Sequence, residues 1–282
     1  MRSASDVIEP GFALATTCLG GPLARRLEAA AAAGFSWIEF FWQDVAESGL
    51  SLREIRRISE DLGLKAQALQ PIRGFEGEAA PAMSAGFQGA AQFMDAAAEL
   101  GAALVGVCAS ERETASGPDG AAAMLARLAE MAKPYGLDVG YEALSWSAAI
   151  HNLAEAWEAV RRVDAANLGL VVDSFHIGAR RNDPRLISAI PASRIAAVQV
   201  SSTHAPLDGS LIEVSRHHRC YPDEGHLEAG EVVRLARLAG YNGPITLELF
   251  NDSYRSRDPF AVAAAGYASL ERLCGRQRIP AP

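Results

Sequence analysis

A closed (β/α)8 barrel, a TIM barrel, is the architecture this sequence predicts, on three observations. Eight segments read as strands, and most are nearly continuous apolar runs, as parallel strands covered on both faces must be. Segments with helical starts and stops alternate with them, at about 35 residues per strand–helix unit, so the units fill all 282 residues with no linker left over. No GxGxxG follows the first strand, as it would in an open, doubly wound dinucleotide fold.

The expected strands are 11–19 (GFALATTCL), 36–42 (SWIEFFW), 64–70 (LKAQALQ), 102–109 (AALVGVCA), 137–144 (LDVGYEAL), 168–173 (LGLVVD), 195–201 (IAAVQVS) and 244–250 (PITLELF). Between them, PLARRLEAAAAAG opens at Pro22 and stops at Gly34. SLREIRRISEDLG carries Ser51 and Glu54 in capping-box spacing and stops at Gly63. MLARLAEMAKPYG, NLAEAWEAVRRVD, AGEVVRLARLAGYNG and DPFAVAAAGYASLERL complete the helices, and alanine runs such as Ala29–Ala33 add intrinsic propensity. GFEGEAAPAMSAG (74–86) reads as an active-site loop or a surface turn. One barrel domain over 1–282 is expected, with 1–10 as a flexible extension and no fused second domain.

Composition excludes several classes. The net charge of −8 argues against a nucleic-acid partner, which would need clustered Lys and Arg. No apolar run approaches the roughly 20 residues of a membrane span. The start, MRSASDVIEPGF, has no apolar core for a secretory signal, and the four cysteines are scattered without CxxC spacing. Free thiols and a cytoplasmic location are expected, and a homo-oligomer remains compatible with the sequence.

Polar residues then interrupt the apolar strands at one end. Glu142 ends LDVGYE, Asp173 ends LGLVVD, Gln199 breaks IAAVQVS and Glu248 breaks ITLELF. Taken singly, a carboxylate there is usually a helix cap or an ion pair, and a buried Gln a satisfied core amide. Four in successive strands are different. A barrel turns them into one mouth, at the end where such folds build their active sites. Three carboxylates crowded in a low dielectric repel one another unless a cation intervenes. An all-oxygen set without cysteine suits Mn2+ or Mg2+, with Co2+ also compatible. Glu142 and Glu248 are therefore candidate catalytic groups as well as metal ligands. His176, three residues past Asp173, is a candidate for proton transfer. Arg73, Arg216 and Arg219 lie in loops on the same side and suit either a substrate carboxylate or phosphate or the neutralisation of the site's own carboxylates, and Tyr221 and Trp146 are candidate pocket walls. The other histidines are expected to face solvent.

At these residues the chain resembles the xylose-isomerase-like sugar phosphate isomerase/epimerase superfamily, and within it the metal-dependent bacterial 3-dehydroshikimate dehydratases. IEFFWQD, LQPIRGFEG, YEALSW, LGLVVDSFH, VQVSS, SRHHRCYP and ITLELFND carry the likeness from residue 11 onward. The resemblance implies metal ligands at Glu142, Asp173, Gln199 and Glu248, proton transfer at His176, and a substrate carboxylate held by Arg73, Arg216 and Arg219. It implies a lyase acting on a small anionic cyclic hydroxy-ketone, 3-dehydroshikimate, through a metal-stabilised enolate to give protocatechuate. The alternative is a ketose or sugar phosphate isomerase or epimerase, including the hydroxypyruvate isomerase type, using the same metal and an enediolate. The chain departs from the dehydratase pattern at Ala148, Ala149 and Ser201–Thr203, so its substrate-facing wall is expected to differ there.

Overall fold

Every one of the eight expected strand segments overlaps a parallel strand of one closed barrel, the third running two residues further, to Ile72. The structure is a computed structural model and describes residues 11–74, 80–112 and 117–275. The strands are β1 (Phe12–Ala15), β2 (Trp37–Phe41), β3 (Lys65–Ile72), β4 (Leu104–Cys108), β5 (Asp138–Glu142), β6 (Leu168–Asp173), β7 (Ile195–Val200) and β8 (Ile245–Leu247). Each pairs with the next in sequence, and β8 closes on β1 through Phe12 opposite Ile245. Because all run the same way, their C-terminal ends open at one mouth.

Strand parity decides what enters that mouth. Leu69, Val105, Val172 and Val198 join the main core with the surrounding helices, whereas Ala68, Leu104, Val171 and Ala197 form a separate small cluster inside the barrel. Side chains alternate along a strand. Two residues beyond Ala68, Val171 and Ala197 are Gln70, Asp173 and Gln199, so these also point inward. The same parity turns Glu39 inward on β2, between Ile38 and Phe40 of the outer core. Register then sets the neighbours: Cys108 opposes Glu142, Asp173 opposes Gln199, and Gln199 opposes Thr246. Space inside is tight. A Cβ on Gly106 would lie 2.8 Å from the Gln70 Cβ, so only glycine lets Gln70 occupy its place.

The helices follow the expected punctuation. Ser51 and Glu54 form a reciprocal capping box for the helix Leu52–Asp61, and Gly34 ends Leu23–Ala33 at φ 104°. Asn152 caps Leu153–Val163 by accepting the Glu155 N–H. Two readings shift. In 74–86, Ala80 onward belongs to a helix, Ala80–Leu100, because the alanine-rich stretch propagates helix rather than loop; Phe75–Ala79 lie outside the described residues, as do residues 1–10. The residues after Asp173 form a short helix, Ser174–Ala179, before the basic loop. All four cysteines are free thiols. Among the described residues, no helix is long and apolar enough to cross a membrane.

Candidate active site

Asp173 shows how local folding aims a side chain. As the last residue of β6 it caps the following helix, its Oδ1 accepting the Phe175 N–H at 2.8 Å, which leaves Oδ2 for the barrel mouth. There Arg219 Nη1 donates to Asp173 Oδ2 and to Glu248 Oε2, each at 2.9 Å. The guanidinium is held by the Ser215 carbonyl and hydroxyl and lies over the Phe175 ring, 4.5 Å from its centroid. One turn past Asp173, His176 places Nε2 3.5 Å from both Glu142 Oε1 and Asp173 Oδ2. Glu142, Asp173 and His176 thus offer three ligand atoms within 4.8 Å of one another.

Gln199 and Glu248 complete the expected set. Gln199 Nε2 donates to Glu248 Oε1 at 3.3 Å and to Glu39 Oε1 at 2.8 Å. Gln70 Nε2 donates to the same two oxygens, at 2.7 and 2.6 Å. Cys108 Sγ donates to Glu142 Oε2 at 3.2 Å. All these side chains are buried.

Burial dominates the titration here. It pushes Glu39 up to about 8, with Glu248 adding repulsion, and holds Glu142 well above the usual carboxyl range, helped by Glu248 and Asp173. Glu248 is also raised by burial, against the pull of Arg219. The same burial lowers His176 to about 3, so its imidazole is neutral. Its Nδ1 accepts the Ser145 backbone N–H at 3.1 Å, which puts the ring proton on Nε2. The 3.4 Å approach of Arg219 Nη2 to that nitrogen is then a contact between two donors and not a hydrogen bond. His176 therefore presents a donor, not an acceptor, to the two carboxylates.

The cluster suits a hard divalent cation. Four buried carboxyl groups (Glu39, Glu142, Asp173 and Glu248) surround the buried guanidinium of Arg219, and burial, with their mutual repulsion, drives three of them toward protonation. Gln199 Oε1 is buried with no hydrogen-bond partner, an acceptor left open at a cost of about 1–3 kcal/mol unless something binds it.

A cavity of about 480 Å3 opens above the cluster. Arg73 and Arg216 stand at its rim, where Nη1 and Nη2 lie 3.6 and 3.3 Å from Glu111 Oε1; Trp146 Nε1 donates to the same oxygen at 3.0 Å. The Trp146 ring also packs edge-on against His176, 5.0 Å between centroids. Two expected residues sit elsewhere. Arg219, 2% exposed, is at the bottom of the site rather than at the rim, because Ser215 and two carboxylates anchor it. Tyr221 does not reach the cavity: its hydroxyl donates to the Val262 carbonyl and its ring stacks on Tyr254. Glu39, Gln70, Cys108 and Glu111 were not singled out by the sequence reading. Glu39 breaks the apolar run IEFF just as Glu248 breaks ITLELF, so the same signal was present.

An acidic cluster at the C-terminal mouth of a closed parallel barrel defines a class, and sequence places the chain in it. The chain belongs to the xylose isomerase-like TIM barrel family, whose model matches residues 27–273. It is 40% identical over 259 residues to a 3-dehydroshikimate dehydratase of Pseudomonas aeruginosa, covering 91% of this chain and 40% of that protein. A 3-dehydroshikimate dehydratase of Pseudomonas putida is 36% identical over 268 residues, covering 94% and 42%. Among solved structures, a xylose isomerase-like TIM barrel/4-hydroxyphenylpyruvate dioxygenase fusion protein superposes with a TM-score of 0.92 at 35% identity, over 96% of this chain and 44% of that one. The chain thus spans less than half the length of these relatives.

Proposed function

We propose that this chain is a divalent-metal-dependent dehydratase that converts 3-dehydroshikimate to protocatechuate and water. The observation that carries this reading is the buried cluster from β5 to β8, with its open Gln199 oxygen, in a chain 40% identical to a 3-dehydroshikimate dehydratase over nearly its whole length. Glu142, Asp173, Gln199 and Glu248 would hold the ion, Mn2+, Mg2+ or Co2+ by their oxygen chemistry. When bound, the ion supplies Lewis-acid polarisation of the substrate ketone, which acidifies the neighbouring C–H.

The protein's own groups do the rest. Arg73 and Arg216, half exposed at the rim, take the substrate carboxylate, and Trp146 covers one face of the ring. Glu142 and Glu248 are the carboxylates that can accept the proton beside the ketone. Burial raises their proton affinity above that of an ordinary carboxylate, which suits a base. The Nε2–H of His176 can hydrogen-bond the departing hydroxyl, which leaves as water with the proton that the carboxylate has taken, and Ser145 fixes that tautomer. Arg219 holds Asp173 and Glu248 in place by donating to both. The test is to supply the protein with each ion and 3-dehydroshikimate and follow catechol ultraviolet absorbance. Its appearance supports the dehydratase; its absence with every ion, together with interconversion of a ketose or hydroxypyruvate, overturns it in favour of an isomerase.

A further inference from the structure

We propose that Glu39, on β2 and across the barrel from β6, is a positioning residue that sets which atom Gln199 offers to the cation. The inference rests on the metal-site reading above. A side-chain amide can present either its carbonyl oxygen or its NH2 group in a given direction, and only the oxygen binds a cation. At Gln199 the neighbours select it, since both carboxyl oxygens that the amide faces already accept from Gln70 Nε2. Its Nε2 faces Glu39 Oε1 at 2.8 Å and Glu248 Oε1 at 3.3 Å; the flipped amide would set oxygen against two carboxyl oxygens at those distances. With both amide hydrogens used, Oε1 is turned from the carboxyls and is the buried acceptor without a partner.

Glu39 makes the shorter of the two contacts and is itself immobilised. Gln70 Nε2 bridges Glu39 Oε1 and Glu248 Oε1, so two amides and two carboxyls form one closed ring of hydrogen bonds. Gly106 provides the room that Gln70 needs. Three strands that contribute no ligand to the proposed ion, β2, β3 and β4, thus orient one that does. Partners that orient ligands in this way typically govern about 10- to 100-fold in metal affinity.

Mn2+ titration calorimetry on metal-stripped protein tests this without reference to turnover. Glu39→Leu removes the acceptor and is expected to weaken Mn2+ binding about 10- to 100-fold. Glu39→Gln keeps a carbonyl oxygen in the same place and is expected to stay within about threefold of wild type. Gln199→Ala is expected to weaken binding as Glu39→Leu does, and the double variant E39L/Q199A to be no weaker than Q199A alone, since Glu39 acts through Gln199. Glu39→Ala replaces Glu39→Leu if the latter fails to fold. Additive losses in the double variant, or equal losses in Glu39→Gln and Glu39→Leu, would overturn the positioning role and leave only a charge effect. Unchanged affinity in Glu39→Leu overturns it outright. Failure of the wild type to bind Mn2+ at all would instead overturn the metal reading, and this inference with it.

Discussion

Replacing Arg219 with leucine isolates the electrostatic problem at the bottom of this site. The guanidinium is 2% exposed and its Nη1 lies 2.9 Å from both Asp173 Oδ2 and Glu248 Oε2. Removing one member of such a buried set leaves uncompensated charge and typically costs about 3–5 kcal/mol. A chain of 282 residues unfolds with an entropy of about 0.6 kcal/mol/K near 60 °C, so the expected loss in Tm is about 5–8 °C. The loss should be larger at pH 8 than at pH 5, where protonation of Glu248 relieves part of the repulsion. Saturating Mn2+ should raise Tm more in Arg219→Leu than in the wild type, because the ion no longer shares Asp173 and Glu248 with a guanidinium. Thermal melts at both pH values, with and without Mn2+, measure all three. A Tm within 1 °C of wild type at pH 8 (about 0.6 kcal/mol) would refute the reasoning, since the carboxyls would then tolerate burial unaided.

Other predictions concern charge and the cavity. In metal-free protein, Glu39 holds its proton up to about pH 8, against 4.5 for an ordinary glutamate, so the folded chain binds more protons than the unfolded one in that window. Stability must therefore fall as pH rises from 4.5 to 8. His176, lowered from 6.5 to about 3, acts oppositely: it stabilises fully above 6.5 and less as pH falls toward 3. Between pH 6.5 and 8 only the carboxyl effect remains, and urea midpoints there should fall in metal-free protein and flatten with Mn2+; a rise would contradict the assignment. Arg73→Ala and Arg216→Ala should each raise KM for an anionic substrate about tenfold with kcat little changed, by steady-state kinetics, since a charged hydrogen bond at a half-exposed rim is worth the lower end of its usual range. His176→Asn should lower kcat at least 100-fold with KM nearly unchanged if the Nε2–H serves the leaving group; an intact kcat would assign that role elsewhere.

Much of the fold was legible because it rests on local physics. Continuous apolar runs marked the buried strands, and Ser51–Glu54 and Gly34 marked helix ends that depend only on near neighbours. The strand-end oxygens at Glu142, Asp173, Gln199 and Glu248 were visible because a charge in an apolar run is costly without a reason. Glu39 was equally conspicuous in IEFF, but its meaning depends on contacts with Gln70 and Gln199, 31 and 160 residues away. Arg219 and Tyr221 show the limit more sharply. RCY lies in one loop, yet Arg219 folds down onto Asp173 while Tyr221 turns outward to Val262. The antiparallel pairing of Arg219–Cys220 with Ser202–Thr203 sets that direction, and no local pattern announces a two-residue ladder. The start of the helix Ala80–Leu100 was hidden by Pro81 and Gly86, which lie within its first turns and read as loop residues.

Crystals grown with Mn2+, with anomalous scattering recorded at the manganese edge, test the central claim most directly. One peak per chain is predicted, with an oxygen of each of Glu142, Asp173, Gln199 and Glu248 about 2.0–2.6 Å from it. A peak elsewhere, or Gln199 turning its nitrogen to the ion, would contradict the account.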